Sequence, residues 1–220
     1  MRLLHFFLSV LLIAVFAGCA DNRKPQQSQG SEDYTENTAR RFRIEKMGGY
    51  TTLTIINPWQ GASNVFQKWY LIRKGDLPPD GIDEKDIIRV PVSSIICMST
   101  TYIPMIKAIG ATSTIKGISG ASLIYDDSIR TLVGSGLIAD VGYEDNLNKE
   151  LLIRISPELL VTYGVGSEAT GYMNKVRDLG VKVMFIADYL ETDPLAKAEW
   201  IKVFGALYCC EKESDEIFSA

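Results

Sequence analysis

From residue 92 onward, short apolar runs alternate with stretches of helical periodicity, and that alternation constrains the fold of this chain more than any other feature. Residues 92–98 read as an apolar strand. Ser99, Thr100 and Thr101 follow as helix-capping candidates, and Ile103, Ile106, Lys107 and Ile109 keep helical spacing up to the stop at Gly110. Residues 114–118 read as a second strand. Residues 148–155 read as a short helix ended by Ser156-Pro157, because proline disfavours helical geometry in the residue before it. Residues 159–163 form a third strand, 168–179 a helix closed by Gly180, and 181–186 a fourth strand. Alternation of this kind implies right-handed crossovers and a mainly parallel sheet, so the expected class is α/β. Ahead of it, residues 50–56 and 67–73 are β-branched and aromatic runs separated by Asn57-Pro58-Trp59 and Gly61. They predict an opening antiparallel pair.

In parallel sheets ligands gather at the carboxyl ends of the strands. Segments 99–102, 119–125, 163–166 and 188–190 follow predicted strands, and Tyr143-Glu144 precedes the short helix. All five are expected along one edge of a single sheet. Thr100, Thr101, Tyr102, Tyr125, Tyr143, Tyr163, Gly164 and Tyr189 are therefore the candidate ligand-binding residues. Aromatic rings at successive turns suit a flat or bulky ligand held by stacking and edge contacts. Tyrosine is also simply tolerated at strand ends.

The N-terminus carries a different message. Met1-Arg2 supplies one positive charge, residues 3–17 are almost unbroken apolar sequence, and Gly18-Cys19 leads into the polar Asp21-Asn22-Arg23-Lys24. This is the layout of a secretory signal, and the run is short of the roughly 20 residues a membrane span needs. Phe16-Ala17-Gly18-Cys19 resembles the bacterial lipobox, with Phe16 where the pattern usually has Leu. The resemblance implies that Cys19 is acylated and becomes the mature N-terminus. An ordinary signal peptide containing a cysteine is the alternative. Residues 21–38 are rich in Gln, Ser, Asn, Asp and Glu and read as a flexible tether.

Composition narrows the chemistry. Cleavage before Cys19 removes Arg2 and His5 from a chain with 23 Lys and Arg, 27 Asp and Glu and 1 His, leaving a formal charge of −5. That balance argues against nucleic acid as a partner. Without histidine, Ser-His-acid and Cys-His catalysis and imidazole-dependent zinc sites are excluded. Cys97 lies in an apolar run and reads as a small buried hydrophobe. Cys209-Cys210 are adjacent and no CxxC spacing exists, so neither a structural disulfide nor a metal site is expected. Gly134-Ser135-Gly136-Leu137-Ile138-Ala139 fits the GxGxxA dinucleotide fingerprint, with Glu158 at about the expected distance, but the motif must open a helix after a strand. Here Asp140-Val141-Gly142 interrupts at once.

One further pattern spans residues 89–220. Asp140-Val141-Gly142 leads to Asn148-Lys149-Glu150, a short helix, Ser156-Pro157-Glu158 and the apolar Leu159-Leu160-Val161. Ala108-Ile109-Gly110-Ala111 precedes Ile115-Lys116-Gly117-Ile118, and Leu179-Gly180-Val181 precedes Trp200-Ile201 and Phe204-Gly205. This order resembles the helical-backbone class of periplasmic substrate-binding proteins that serve ABC importers of iron–siderophores, haem and cobalamin. The resemblance implies a Rossmann-like lobe, no enzymatic activity, no cofactor beyond the iron or cobalt of the ligand, and an ABC permease in the membrane as partner. It also implies that Glu150 docks onto that permease, although this sequence has Asn-Lys-Glu where the family pattern is Asn-Leu-Glu. The expected organisation is a signal peptide at 1–18, a tether at 19–41, an N-terminal ligand-binding lobe at 42–192, and the start of an inter-lobe helical segment at 193–220, ending before a second lobe. Localisation would be exported and lipid-anchored, facing the periplasm or cell surface. A structural or adhesive surface lipoprotein, and a nucleotide-binding enzyme, are the competing readings.

Overall fold

The first strands form because β-branched and aromatic residues recur between tight turns. Strands β1 (Phe42–Met47), β2 (Tyr50–Ile56) and β3 (Phe66–Arg73) run as an antiparallel meander. Gly48-Gly49 closes the first hairpin, with Gly49 at a φ of 132° that only glycine adopts without strain. Strand β4 (Ile87–Val90) then joins β3 in parallel. The expected opening pair is β2 with β3. The sequence reading missed β1, whose charged Arg43, Glu45 and Lys46 lie along an edge strand, where such residues discourage further pairing.

The computed structural model describes residues 38–143, 146–165, 171 and 174–220. The expected signal peptide, Cys19 and most of the expected tether lie outside the described residues, as do Glu144, Gly166 and part of the expected 168–179 helix.

Strands β5 (Ile95–Cys97), β6 (Ile115–Ile118), β7 (Ala139–Asp140), β8 (Leu159–Thr162) and β9 (Val183–Phe185) make a second sheet, parallel throughout, in the order β7-β6-β5-β8-β9. Side chains alternate across a strand, and here both sets are apolar, as expected of a sheet covered on both faces. Ile95, Cys97, Leu159, Val161, Met184 and Ile186 face one core; Ile96, Met98, Leu160, Val183 and Phe185 face another. Helices α1 (Tyr102–Ala108), α2 (Asp127–Gly134) and α5 (Ile201–Tyr208) cover the first face together with the mixed sheet. Leu152 of α3 (Lys149–Ile155) and Val176, in the helical residues 174–177, cover the second.

Several boundaries have local causes. Asn148 caps α3 by accepting the Leu151 amide at 2.9 Å, and Ser156 ends it in the left-handed region at a φ of 47°. Asp193 caps α4 (Pro194–Ala198) by accepting the Leu195 amide at 2.7 Å, with Pro194 in the first turn. Helix α5 is buried on almost every side. It crosses α6 (Glu211–Ser219) so closely that a Cβ on Gly205 would sit 2.1 Å from Ser214 Oγ. Two buried carboxylates fix the start of the folded body. Glu199 accepts the Ala39 amide at 2.7 Å, and Glu191 accepts the Arg40 and Arg41 amides at 3.0 and 2.9 Å.

One expectation fails locally, that of a side-chain cap on α1. The GxGxxA run closes a helix, in line with its setting in the sequence: Gly134 ends α2 and Gly136, at a φ of 76°, turns the chain toward β7. The geometry a dinucleotide phosphate needs is not formed there. Thr101 precedes α1 without a side-chain capping bond; its hydroxyl pairs with Ser99 Oγ at 2.8 Å.

Candidate ligand-binding edge

Because every strand of the second sheet points the same way, the turns after β5, β6, β7, β8 and β9 share one edge. Gly142 shapes the turn after β7: its φ is 81°, and a Cβ there would meet the Asn146 carbonyl oxygen at 2.5 Å. The Val141-Gly142 step is therefore a backbone requirement. It delivers Tyr143, half-exposed, against Gly120, where an added Cβ would lie 3.4 Å from the Tyr143 hydroxyl oxygen. Tyr125, after β6, is 94% exposed. Leu123 and Val165 are also exposed, at the ends of β6 and β8.

The centre of the edge is tighter. Tyr163 and Tyr189 meet edge to face, with ring centroids 6.2 Å apart. The Tyr189 hydroxyl donates to the Gly164 carbonyl and accepts the Gln60 amide at 3.2 Å. Gln60 N–H also reaches Gly164 O at 3.0 Å. A Cβ at Gly164 would lie 2.6 Å from Trp59 Cβ and 3.1 Å from Phe185, so glycine is what lets the β2–β3 turn dock here. The sequence reading missed Trp59 and Gln60. Their signal was a tryptophan inside a turn otherwise built from Asn57 and Pro58.

Tyr102 corrects the sequence reading. It is fully buried, packed against Phe204 with centroids 6.1 Å apart, and its hydroxyl has no hydrogen-bond partner among the described residues. At the start of a helix its side chain turns back into the core. Burial pushes its hydroxyl pKa well up, and the carboxylate of Asp188 adds to the rise. Asp188 is itself only 8% exposed, and burial raises its carboxyl pKa. Thr100 is half-buried and Thr101 exposed beside Ser99, both on the edge. Glu150 is exposed in the first turn of α3, where a carboxylate suits the helix dipole.

The edge thus presents exposed rings, hydroxyls and a largely buried carboxylate. Among the described residues no three His, Cys, Asp or Glu side chains gather as a metal-holding cluster. A groove of about 440 Å³ lies elsewhere, lined by Lys46, Tyr50, Arg73, Asp76, Cys209 and Glu211 among others, and shares no lining residue with the edge. Charges of both signs face into it.

No protein-family model matches the chain. Two curated relatives from Methanocaldococcus jannaschii do: uncharacterized lipoprotein MJ0878, 29% identical over 96% of this chain and 58% of its own length, and uncharacterized lipoprotein MJ0872, 27% identical over 92% and 55%. The chain spans a little over half the length of these relatives. Among solved structures it is similar to a possible iron-binding (periplasmic solute-binding) protein from Staphylococcus epidermidis. That match has 21% identity and a TM-score of 0.45, over 59% of this chain and 47% of the other.

Proposed function

We propose that this chain is the ligand-binding lobe of an exported lipoprotein that captures a metal chelate, such as an iron–siderophore, haem or cobalamin, and delivers it to an ABC permease. The observation that carries the reading is the shared carboxyl edge of five parallel strands with Tyr125, Tyr143, Tyr163 and Tyr189 in four of its turns. Parallel sheets bind ligands at this edge, and exposed rings supply broad contact area to a flat or bulky molecule. The lipobox-like Phe16-Ala17-Gly18-Cys19, and the lipoprotein names of both curated relatives, support export and anchoring through Cys19. Glu150, exposed on α3, would meet an arginine-rich pocket of the permease, a pairing that gives orientation as well as attraction.

The order of motifs over residues 89–220 further suggests that the ligand is enclosed with a second lobe, residues 193–220 beginning the connection. One lobe alone then supplies part of the contact surface, and each 1.4 kcal/mol lost is about tenfold in affinity. Titration of the chain with cobalamins and ferric siderophores, beside a Tyr125→Ala/Tyr143→Ala double variant, tests the reading. Weak saturable binding that the double variant loses supports it. Unchanged binding in the variant would remove the edge from the account.

A further inference from the structure

The mixed sheet has an outer face that chelate binding leaves unused. Residues paired across an antiparallel ladder share a face. One face of β1–β3 carries Phe42, Leu53, Ile55, Trp69 and Leu71, all within the core. The other is built in rows. Arg43, Thr54 and Lys68 stand side by side, and Glu45, Thr52 and Tyr70 form the next row. Met47 with Tyr50, and Ile56 with Phe66, close the two ends. None of Met47, Tyr50, Ile56, Phe66 and Tyr70 packs into either hydrophobic core, and Phe66 is 63% exposed. Toward β4 this face holds the buried Ile72 and Ile87, so its open part is β1–β3.

Its charge is the reverse of the chain's. The chain has 27 acidic against 23 basic residues, yet β1–β3 carry a single carboxylate, Glu45, which accepts the Thr52 hydroxyl at 3.2 Å. Arg43 and Lys68 are exposed in one row, and neither forms an ion pair among the described residues. Lys68 lies over the Tyr70 ring at 5.2 Å, and Tyr70 meets Tyr50 with centroids 5.9 Å apart, so cation and rings form one strip. Exposed apolar side chains beside unpaired cations suit a surface that is anionic at one depth and apolar just beneath. An anionic bilayer is such a surface: lysine and arginine reach its phosphates while aromatic rings settle at headgroup level. A dissolved anion would satisfy the cations and leave Phe66 and Met47 in water. We infer that this face lies against the anionic lipid of the membrane that carries the chain. The inference rests only on the export and anchoring part of the proposed function; β1 starts where the expected 19–41 tether ends. The face shares no residue with the carboxyl edge or with α3.

The test is quenching of tryptophan fluorescence in the full chain carrying Phe66→Trp, read against the parent chain. The vesicles contain brominated phosphatidylcholine, with or without phosphatidylglycerol, and flotation reports anchoring in parallel. The expected result is strong quenching of the indole at position 66 by the anionic vesicles and little by the neutral ones. The difference should shrink as salt screens the charges. Each cation near an anionic surface contributes about fivefold in affinity. Arg43→Gln/Lys68→Gln should therefore lower the ratio of contacting to free chain about thirtyfold. Both side chains are exposed, so the fold should persist, which circular dichroism checks. Flotation with both vesicle types but no quenching in the anionic ones would overturn the lipid face and leave anchoring intact. Quenching equal in neutral and anionic lipid, or undiminished in the double variant, would overturn it as well. Failure to associate with either vesicle would overturn both, and light scattering would then show whether a second copy of the chain covers the face.

Discussion

The carboxyl edge of the parallel sheet and the groove between the β1–β2 hairpin and α6 differ in almost every respect. The groove is a hollow of about 440 Å³, within the range of small-molecule sites. Its walls, however, carry Lys46, Arg73, Asp76 and Glu211, and beside it α5 and α6 cross with no room to spare at Gly205. The edge, by contrast, holds the exposed aromatic rings of Tyr125 and Tyr143, which no packing requirement explains. Volume marks where two elements fail to fill space, while exposed apolar side chains at converging strand ends mark where something else is meant to fill it.

The sharpest way to break this contrast is substitution at the crossing and on the edge in parallel. Gly205→Ala drives a methyl group against Ser214, and the loss should be about 2–4 kcal/mol by chemical denaturation, since neither helix backbone can move away cheaply. Retention of full stability would show that α6 is free to shift and that the groove is adjustable. Glu199→Ala leaves the Ala39 amide without its acceptor and Lys202 without a carboxylate 3.1 Å away. A loss of about 1.5–3 kcal/mol is expected, read as a lower midpoint in urea.

Asp188→Asn should act in the opposite direction. Burial raises the folded-state pKa of Asp188 above its value of 3.8 in an open chain, so the folded state holds the proton more tightly. Its contribution to stability is full below 3.8 and is lost as pH rises through the folded pKa. At pH 7 the asparagine variant should therefore be the more stable, by on the order of 1 kcal/mol, and the gap should close in acid. A gap independent of pH would mean the carboxylate is adequately solvated. Tyr102→Phe removes a buried hydroxyl with no hydrogen-bond partner among the described residues and should be neutral or stabilising by up to about 1 kcal/mol. At the small end, Tyr125→Ala/Tyr143→Ala should change stability by no more than about 0.5 kcal/mol, because both rings are exposed. A large loss of stability there would make these rings structural.

The parallel sheet was legible because its strands are apolar on both faces and bounded by strong stops, as with Gly110, Gly180 and Ser156-Pro157. Residues 50–56 were read as a strand and form β2 with the same limits. By contrast, α2 was missed because its residues, DSIRTLVG, bury only Ile129 fully, with Leu132 and Val133 partly buried against the core. Strand β7, two residues long, exists only through pairing with β6 and has no local signal. On the edge, the sequence could place Tyr125 and Tyr189 by their position after strands and Tyr143 by its position before the short helix, yet it could not tell that Tyr102 turns inward, since that depends on the side-chain direction at the first turn of α1. Trp59 and Gln60 come from the other sheet, and no one-dimensional pattern places a turn against a strand end more than 100 residues away.

The most direct measurement is a map of backbone amide shifts in the isotope-labelled chain as aquocobalamin or a ferric trihydroxamate is added. The account predicts that amides around Tyr125, Tyr143, Val165 and Tyr189 move with saturation, while those around Met47, Tyr50 and Cys209 in the groove stay fixed. Saturable shifts confined to the groove, with the edge unmoved, would contradict it.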